Sequence, residues 1–311
     1  MKTLPLPQFV AGLTCCAALC ALPGTARAQI FIYSQNSGFG TVGSYNFDGS
    51  AINSSLITGL SFNPYIINNL AVSGTALYLY NQGSAGYFSE YSTSGATVNA
   101  NFTGNVGWAS GVTVNGGNLY VAGYIANTVG SYNATSGATI NAALISSGLN
   151  QPYGPVVAGS HLYVANAGNG TVGEYNLDGS VVNAALIAGL TQPTDLAVAN
   201  GFLYVSSVGA GNQGEVGKYD AMTGAAITST FIAGLGGGGG PEIAVAGNAL
   251  YLLKGTLSEY DANSGALINP SLITGLGDTE GIAIEGTPEP ATLALAGLGG
   301  LSLLLARRRQ A

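Results

Sequence analysis

The sequence predicts an all-β fold: a six-bladed β-propeller built from four-stranded antiparallel blades. Three observations predict it. A tyrosine recurs in a Leu-Tyr or Ile-Tyr pair at Tyr33, Tyr78, Tyr120, Tyr163, Tyr204 and Tyr251. A second tyrosine recurs at Tyr45, Tyr91, Tyr132, Tyr175, Tyr219 and Tyr260, with separations of 46, 41, 43, 44 and 41 residues. One copy of the repeat is split between the two ends of the body. A period just above 40 residues with four short strands per copy is the signature of propeller blades.

The clearest unit occupies residues 195–235. Its strands read Asp195-Leu-Ala-Val-Ala-Asn, Phe202-Leu-Tyr-Val-Ser, Val216-Gly-Lys-Tyr-Asp and Ala226-Ile-Thr-Ser-Thr-Phe-Ile-Ala-Gly-Leu. Each is apolar, bounded by turn residues and too short for a helix. The first strands of the other copies are Asn69-Leu-Ala-Val, Gly111-Val-Thr-Val, Gly154-Pro-Val-Val, Glu242-Ile-Ala-Val and Gly281-Ile-Ala-Ile. The body opens on Ile30-Phe-Ile-Tyr, already a second strand, and the missing first strand is 281–284 at the far end. Pairing the two closes the ring and leaves no open seam.

Asp48-Gly49-Ser50, Ser94-Gly95-Ala96, Ser136-Gly137-Ala138, Asp178-Gly179-Ser180, Thr223-Gly224-Ala225 and Ser264-Gly265-Ala266 read as the hairpins between third and fourth strands. Glycine supplies positive φ there. Asn53, Asn99, Asn141, Asn183 and Asn269 recur early in the fourth strand, where a side-chain bond to nearby backbone explains them. The tyrosines are expected to pack between blades.

The ends are of a different kind. Lys2, the apolar stretch Phe9–Leu22 and the small-x-small site Ala26-Arg27-Ala28 form a secretory signal peptide, residues 1–28, with the mature chain starting at Gln29. All three cysteines (Cys15, Cys16, Cys20) fall inside it, so the body, residues 29–286, has neither disulfide nor thiol chemistry. Leu19 before Cys20 disfavours a lipoprotein site. The body carries two lysines, Lys218 and Lys254, against thirteen acids, a net charge of −11. Such a surface repels nucleic acid and anionic lipid. At the C-terminus, Pro288-Glu289-Pro290 precedes an apolar run to Ala306 and then Arg307-Arg308-Arg309. Sixteen residues make a helix of roughly 24 Å, short of the roughly 30 Å hydrocarbon core, a gap that snorkelling arginines close. The arginines favour a cytoplasmic end.

This triplet, transmembrane helix and arginine cluster resemble the PEP-CTERM sorting signal of bacterial surface proteins, residues 287–311 here. The resemblance implies that Pro288, Glu289 and Pro290 are a recognition element for exosortase, a membrane transpeptidase-like enzyme. It further implies inner-membrane anchoring before processing, a cell-surface or extracellular destination, and a link to exopolysaccharide, the expected partner being extracellular polysaccharide or a surface protein. A plain stop-transfer anchor is the alternative. The body is similar to NHL-like six-bladed propellers, on Gly281-Ile-Ala-Ile and Leu162-Tyr-Val-Ala-Asn. It lacks a Trp-Asp repeat signature, Trp108 being the sole tryptophan.

No catalytic residue is assigned. The one histidine, His161, reads as a solvated turn residue, and Gly236–Gly240 as a flexible connection between blades five and six, since no lysine or helix follows as a phosphate loop requires. The starts of the first strands converge on one mouth of the channel. Asn69, Asp195, Glu242 and Glu280 would gather there, with Asp278 nearby, and such oxygens suit Ca²⁺ or another divalent cation. SMP-30-like lactonases use an acid-and-amide set of this kind, so the resemblance implies a metal-dependent lactonase or esterase as an alternative to a binding or structural module. The other reading of these acids is a solvated acidic rim.

Overall fold

The computed structural model describes residues 28–36, 39–60, 70–81 and 86–285. The expected signal peptide up to residue 27, Asn69 and the sorting segment lie outside the described residues. Among the described residues no helix is long and apolar enough to cross a membrane.

Six four-stranded antiparallel sheets form the blades. Blade 1 takes its second to fourth strands from Ile30–Asn36, Phe39–Tyr45 and Ala51–Leu60, and its first from Asp278–Ile284. Blade 2 runs Leu70–Ser73, Ala76–Asn81, Tyr87–Ser92 and Thr97–Asn99. Blade 3 runs Ala109–Asn115, Asn118–Gly123, Thr128–Asn133 and Thr139–Ile145. Blade 4 runs Pro152–Ala158, His161–Asn166, Thr171–Asn176 and Val181–Ile187. Blade 5 runs Asp195–Ala199, Phe202–Val208, Gly214–Asp220 and Ala226–Ile232, with a short 3-10 turn at Ala210–Asn212. Blade 6 runs Glu242–Ala246, Ala249–Leu253, Leu257–Asp261 and Leu267–Ile273. The closing strand is three residues longer than its sequence pattern, and it pairs Ile284 with Ile30 and Gly281 with Tyr33. First strands of neighbouring blades touch all the way round, so the ring is closed.

In each blade the first strand lies innermost. All first strands begin at one end of the ring, here the upper face, together with the hairpins joining second to third strands. The lower face carries the ends of the first strands and the hairpins joining third to fourth strands. First strands line a channel of about 280 Å³ with aliphatic side chains such as Leu70, Val112, Leu196, Ile243 and Ile282.

Second strands are apolar on both faces because each is sandwiched between two other blades: in Phe202–Val208 all but the first residue are buried. A separate apolar cluster fills each of the six blade junctions. Between blades 5 and 6, for example, Ala197, Tyr204, Val216 and Ile232 meet Ile243, Leu250 and Leu252. The second-strand tyrosines add a polar tie. Tyr78 Oη donates to the carbonyl of Ala134 (2.6 Å), Tyr163 to that of Ala221 (3.0 Å) and Tyr204 to that of Ala262 (2.7 Å), in each case one blade onward. A buried hydrogen bond of this kind is worth about 1 kcal/mol net, and more if one partner is left orphaned.

The third-strand tyrosines impose a rule not read from the sequence. A Cβ on Gly43, Gly173 or Gly217 would strike the ring of the tyrosine two residues on, at 2.7, 2.7 and 2.6 Å. In blades 1, 3, 4 and 5 the motif is therefore Gly-x-Tyr, and the glycine is the space the ring occupies, whereas blades 2 and 6 carry Ser89 and Ser258 at that position. The residue between them also matters. In blade 5 it is Lys218, buried, with Nζ 4.4 Å from the Phe202 ring centroid and donating to the carbonyl of Ala262 at 2.9 Å. Burial lowers its pKa, and Asp261 pulls the other way.

The fourth strands form the circumference and are largely exposed. Each recurring asparagine accepts from the backbone N–H two residues on: Asn53 from Ser55 (3.0 Å), Asn99 from Asn101 (3.0 Å), Asn141 from Ala143 (3.1 Å), Asn183 from Ala185 (3.1 Å) and Asn269 from Ser271 (3.0 Å). In blades 1, 3, 4 and 6 the bond sits inside a bulge. Between Asn183 and Ile187, for instance, four residues of the fourth strand advance while the third strand moves only from Glu174 to Val172.

The hairpin glycines carry two loads. Gly179 has φ +88, and a Cβ there would also collide with the carbonyl of Leu144 in the preceding blade. Gly49, Gly95, Gly137, Gly224 and Gly265 meet the preceding blade in the same way. Gly159, at φ +58, has open space around it. Gly159→Ala should therefore lose about 1 kcal/mol for backbone strain alone. Gly179→Ala should lose about 3 kcal/mol, strain plus overpacking. Urea unfolding of the two variants reads the difference directly, and equal losses would show that blade contact at the hairpin contributes nothing.

Candidate functional site

The upper face collects the residues singled out for chemistry. Asp195 and Glu242 begin the first strands of blades 5 and 6, and Glu280 occupies a bulge where the closing strand shifts register against Tyr33 and Ser34. All three are buried, at 0, 4 and 3% exposure, so they are not a solvated rim. Asp278 is exposed on the surface. Asn69, the fourth expected ligand, lies outside the described residues.

Asp195 acts as a brace between blades. Its Oδ1 accepts from the N–H of Leu196 (2.9 Å) and its Oδ2 from the N–H of Ile243 in blade 6 (2.8 Å). Ser206 supports the same junction by donating to the carbonyl of Pro241 (2.6 Å). Gly154 is required beside this brace, because a Cβ there would lie 2.8 Å from Asp195 Cα and Oδ1. Glu242 has no such accommodation: its Oε2 is buried without a hydrogen-bond partner among the described residues. Burial first, then the charges of Asp195 and Glu280, push its carboxyl well above 4.5. Burial and Glu280 likewise raise the Tyr33 hydroxyl. Among the described residues no group of three or more His, Cys, Asp or Glu is disposed to hold a metal ion.

The loops above these acids are better ordered than their composition suggests. Gly236–Gly240 is no loose connection. Gln213 and Gly237 form a β-bridge, and Lys254 Nζ donates to the carbonyls of Gly236 (3.1 Å) and Gly239 (2.8 Å). A single lysine thus staples a run of five glycines to blade 6. At the junction of blades 3 and 4, Tyr124 and Tyr153 meet edge to face with centroids 5.3 Å apart. The Tyr124 N–H donates to the carbonyl of the exposed Trp108 (3.1 Å).

On the lower face, His161 differs from the solvated turn residue expected. It sits at the start of a second strand, half-buried, with Nδ1 3.0 Å from Oε1 of the buried Glu174, off line for a hydrogen bond. The sequence signal was present but distant: Glu174 is the middle residue of a Gly-x-Tyr triplet and faces the second strand in the sheet.

The fold thus defines a closed six-bladed propeller with a buried acidic group under one face. A protein-family model described as a PEP-CTERM protein-sorting motif matches residues 287–309. The chain therefore carries a signal for export, membrane anchoring and processing by exosortase. Among solved structures, a chain from the crystal structure of a nidogen/laminin complex is similar at TM-score 0.64 and 16% identity, over 83% of this chain and 98% of that one. That likeness is one of fold. A computationally designed protein follows at TM-score 0.45 and 13% identity, over 82% and 77% of the two chains. No curated protein matches the sequence.

The strain at Glu242 has a testable sign. Its folded pKa lies above the unfolded 4.5, so its contribution favours folding at low pH and is lost as pH rises through the folded value. In metal-free buffer, Glu242→Gln should melt higher than the parent at pH 8, and the gap should shrink toward pH 4.5. Parallel melting curves across that range would show that Glu242 is not strained.

Proposed function

We propose that this exported propeller is a cell-surface or matrix-associated binding or structural module linked to exopolysaccharide. One observation carries the reading. The closing strand ends on the lower face at Ile284, where the Glu285 N–H donates to the carbonyl of Gln29 (3.0 Å). The sorting motif begins two residues later, at 287. A tether leaving there turns the upper face, with its aromatic and amide loops, away from the membrane. The same bond supports signal-peptide cleavage between Ala28 and Gln29, because Gln29 is already engaged in the ring and Ala26 lies before it. Pro288, Glu289 and Pro290 serve as the exosortase recognition element, and Arg307, Arg308 and Arg309 leave with the processed tail. Fractionation of the native host should recover the chain with extracellular polysaccharide, with mass spectra that start at Gln29 and lack the three arginines. Recovery only in the inner membrane with an intact tail would overturn this reading.

A second reading has one observation in its favour, the orphaned Oε2 of Glu242 beside two further carboxylates. Asp195, Glu242 and Glu280, which as placed form no metal-holding group, would have to draw together with Asn69 to hold Ca²⁺ or another divalent cation, whose charge would relieve their repulsion. A bound cation would supply the Lewis acidity of a lactonase-like hydrolase. A cation that binds only the folded chain stabilises it by about 2.7 kcal/mol at a hundredfold excess over Kd. The melting temperature should rise with Ca²⁺, Mg²⁺, Mn²⁺ or Zn²⁺ over EDTA, and Glu242→Gln should abolish the rise. No shift with any of the four ends this reading.

A further inference from the structure

We infer that the upper rim at the junction of blades 3 and 4 is a binding site for neutral polysaccharide, built on Trp108, Tyr124 and Tyr153 and flanked by the amides of Asn127, Asn150 and Gln151. The inference rests on the matrix-associated reading above and assigns it a place and a ligand class.

Charge selects the class of partner. The body carries −11, yet the chain between Glu90 and His161 contains no Asp, Glu, Lys, Arg or His. All of blade 3 and the first strand of blade 4 fall in that interval. The site is an electrically silent sector of an acidic protein. A charged polymer would find no counter-charge there, whereas hydroxyl-rich neutral chains need none.

The side chains match that partner. Sugar rings have apolar C–H faces and polar edges, and are held by aromatic faces with a few placed hydrogen-bonding groups. Trp108 is the only tryptophan and is 46% exposed, although an indole of this size is normally buried. Tyr124 and Tyr153 are half-buried and lock each other edge to face. The Tyr153 hydroxyl is pushed up to about 12 by burial and by Tyr124, so it remains a neutral donor.

The site is also rigid. Asn127 and Gln151 both hold positive φ, +52 and +49, which side chains other than glycine rarely adopt. A single bond joins the two, from the Gln151 N–H to Asn127 Oδ1 at 2.6 Å. The hairpin of blade 4 docks onto the same segment. Gly168 N–H donates to the Asn150 carbonyl (3.1 Å), Ala167 N–H to that of Gln151 (3.1 Å), and Asn150 N–H to Oδ1 of the fully buried Asn166 (3.1 Å). Backbone strain held in this way is concentrated at functional sites, and a preformed surface avoids the ordering loss on binding.

The lone tryptophan makes the test direct, because every change in indole fluorescence reports residue 108. The full chain, purified in a sugar-free detergent, is titrated with laminarin, dextran, xylan and galactomannan, and with alginate as an anionic control. At least one neutral glycan should give a saturable shift or quench, and alginate none. Tyr124→Ala should weaken that binding tenfold or more, while Asp178→Asn on the lower face should leave it unchanged. Should Tyr124→Ala fail to fold, Trp108→Phe read by co-sedimentation with the same glycan serves instead, with a similar loss expected. Glycan binding that persists unchanged in Trp108→Phe, with a silent indole in the parent, overturns the site and leaves the matrix-associated reading standing. No binding to any glycan by either method overturns both. An indole shift that depends only on protein concentration marks the patch as a contact between copies of the chain and overturns the proposal.

Discussion

The structure depends on how closely successive blades approach one another. At every hairpin between third and fourth strands, a glycine sits against a carbonyl of the preceding blade, at Leu272, Leu56, Phe102, Leu144, Leu186 and Phe231 in turn. Six such contacts set the angular step of the ring. Given that step, the second-strand tyrosines reach a carbonyl one blade onward, and an apolar cluster forms at each junction. A methyl group at any of these turns would wedge two blades apart, and in a closed ring a displacement at one junction is felt at the others.

Scarcity of charge shapes the rest of the molecule. Propeller circumferences are made of edge strands, and such edges are commonly guarded with lysine. This body has two lysines, and both are committed elsewhere, Lys218 under aromatic rings and Lys254 on the glycine loop. The guard in five of the six blades is asparagine, blade 5 having Thr228 at that position. The asparagine side chain occupies an edge N–H, and in blades 1, 3, 4 and 6 it sits in a bulge that turns the strand away from any flat partner, a bulge that blade 5 makes with Thr228 instead. The arrangement tolerates an exposed aliphatic residue just before that position in every blade: Ile52, Val98, Ile140, Val182, Ile227 and Ile268.

Much of the fold was legible because a propeller repeats its instructions. The tyrosine spacing, the turn glycines and the split first strand each said the same thing six times, or once at each end, and local pattern and global closure agreed. The convergence of Asp195, Glu242 and Glu280 was legible for the same reason, since Asp195 and Glu242 begin first strands and Glu280 directly precedes the Gly281-Ile-Ala-Ile pattern of one. Their burial was not. The path of the loop before Glu242 is held by Lys254 on Gly236 and Gly239 and by Ser206 on Pro241, residues outside the repeating pattern. The role of Gly-x-Tyr was hidden because glycine in a strand reads as weakness until the ring that needs its space is placed. Trp108 passed as the absence of a repeat signature, and only its exposure beside Tyr124 gives it a role.

The join between Ile30 and Ile284 also has a meaning in time. Blades 2 to 6 each draw all four strands from one stretch of chain and can form as that stretch emerges. Blade 1 cannot: its second strand waits for a partner made some 250 residues later. At a synthesis rate of about 5–20 residues per second, that wait is on the order of 13–50 s. During export the strand Ile30–Asn36 stands beside an empty berth, open to any passing extended segment. The propeller is thus a clasp that shuts only when the last strand has crossed, immediately before the sorting segment arrives at the membrane. A chain truncated before residue 278 would reach the outside as an open arc rather than a smaller ring.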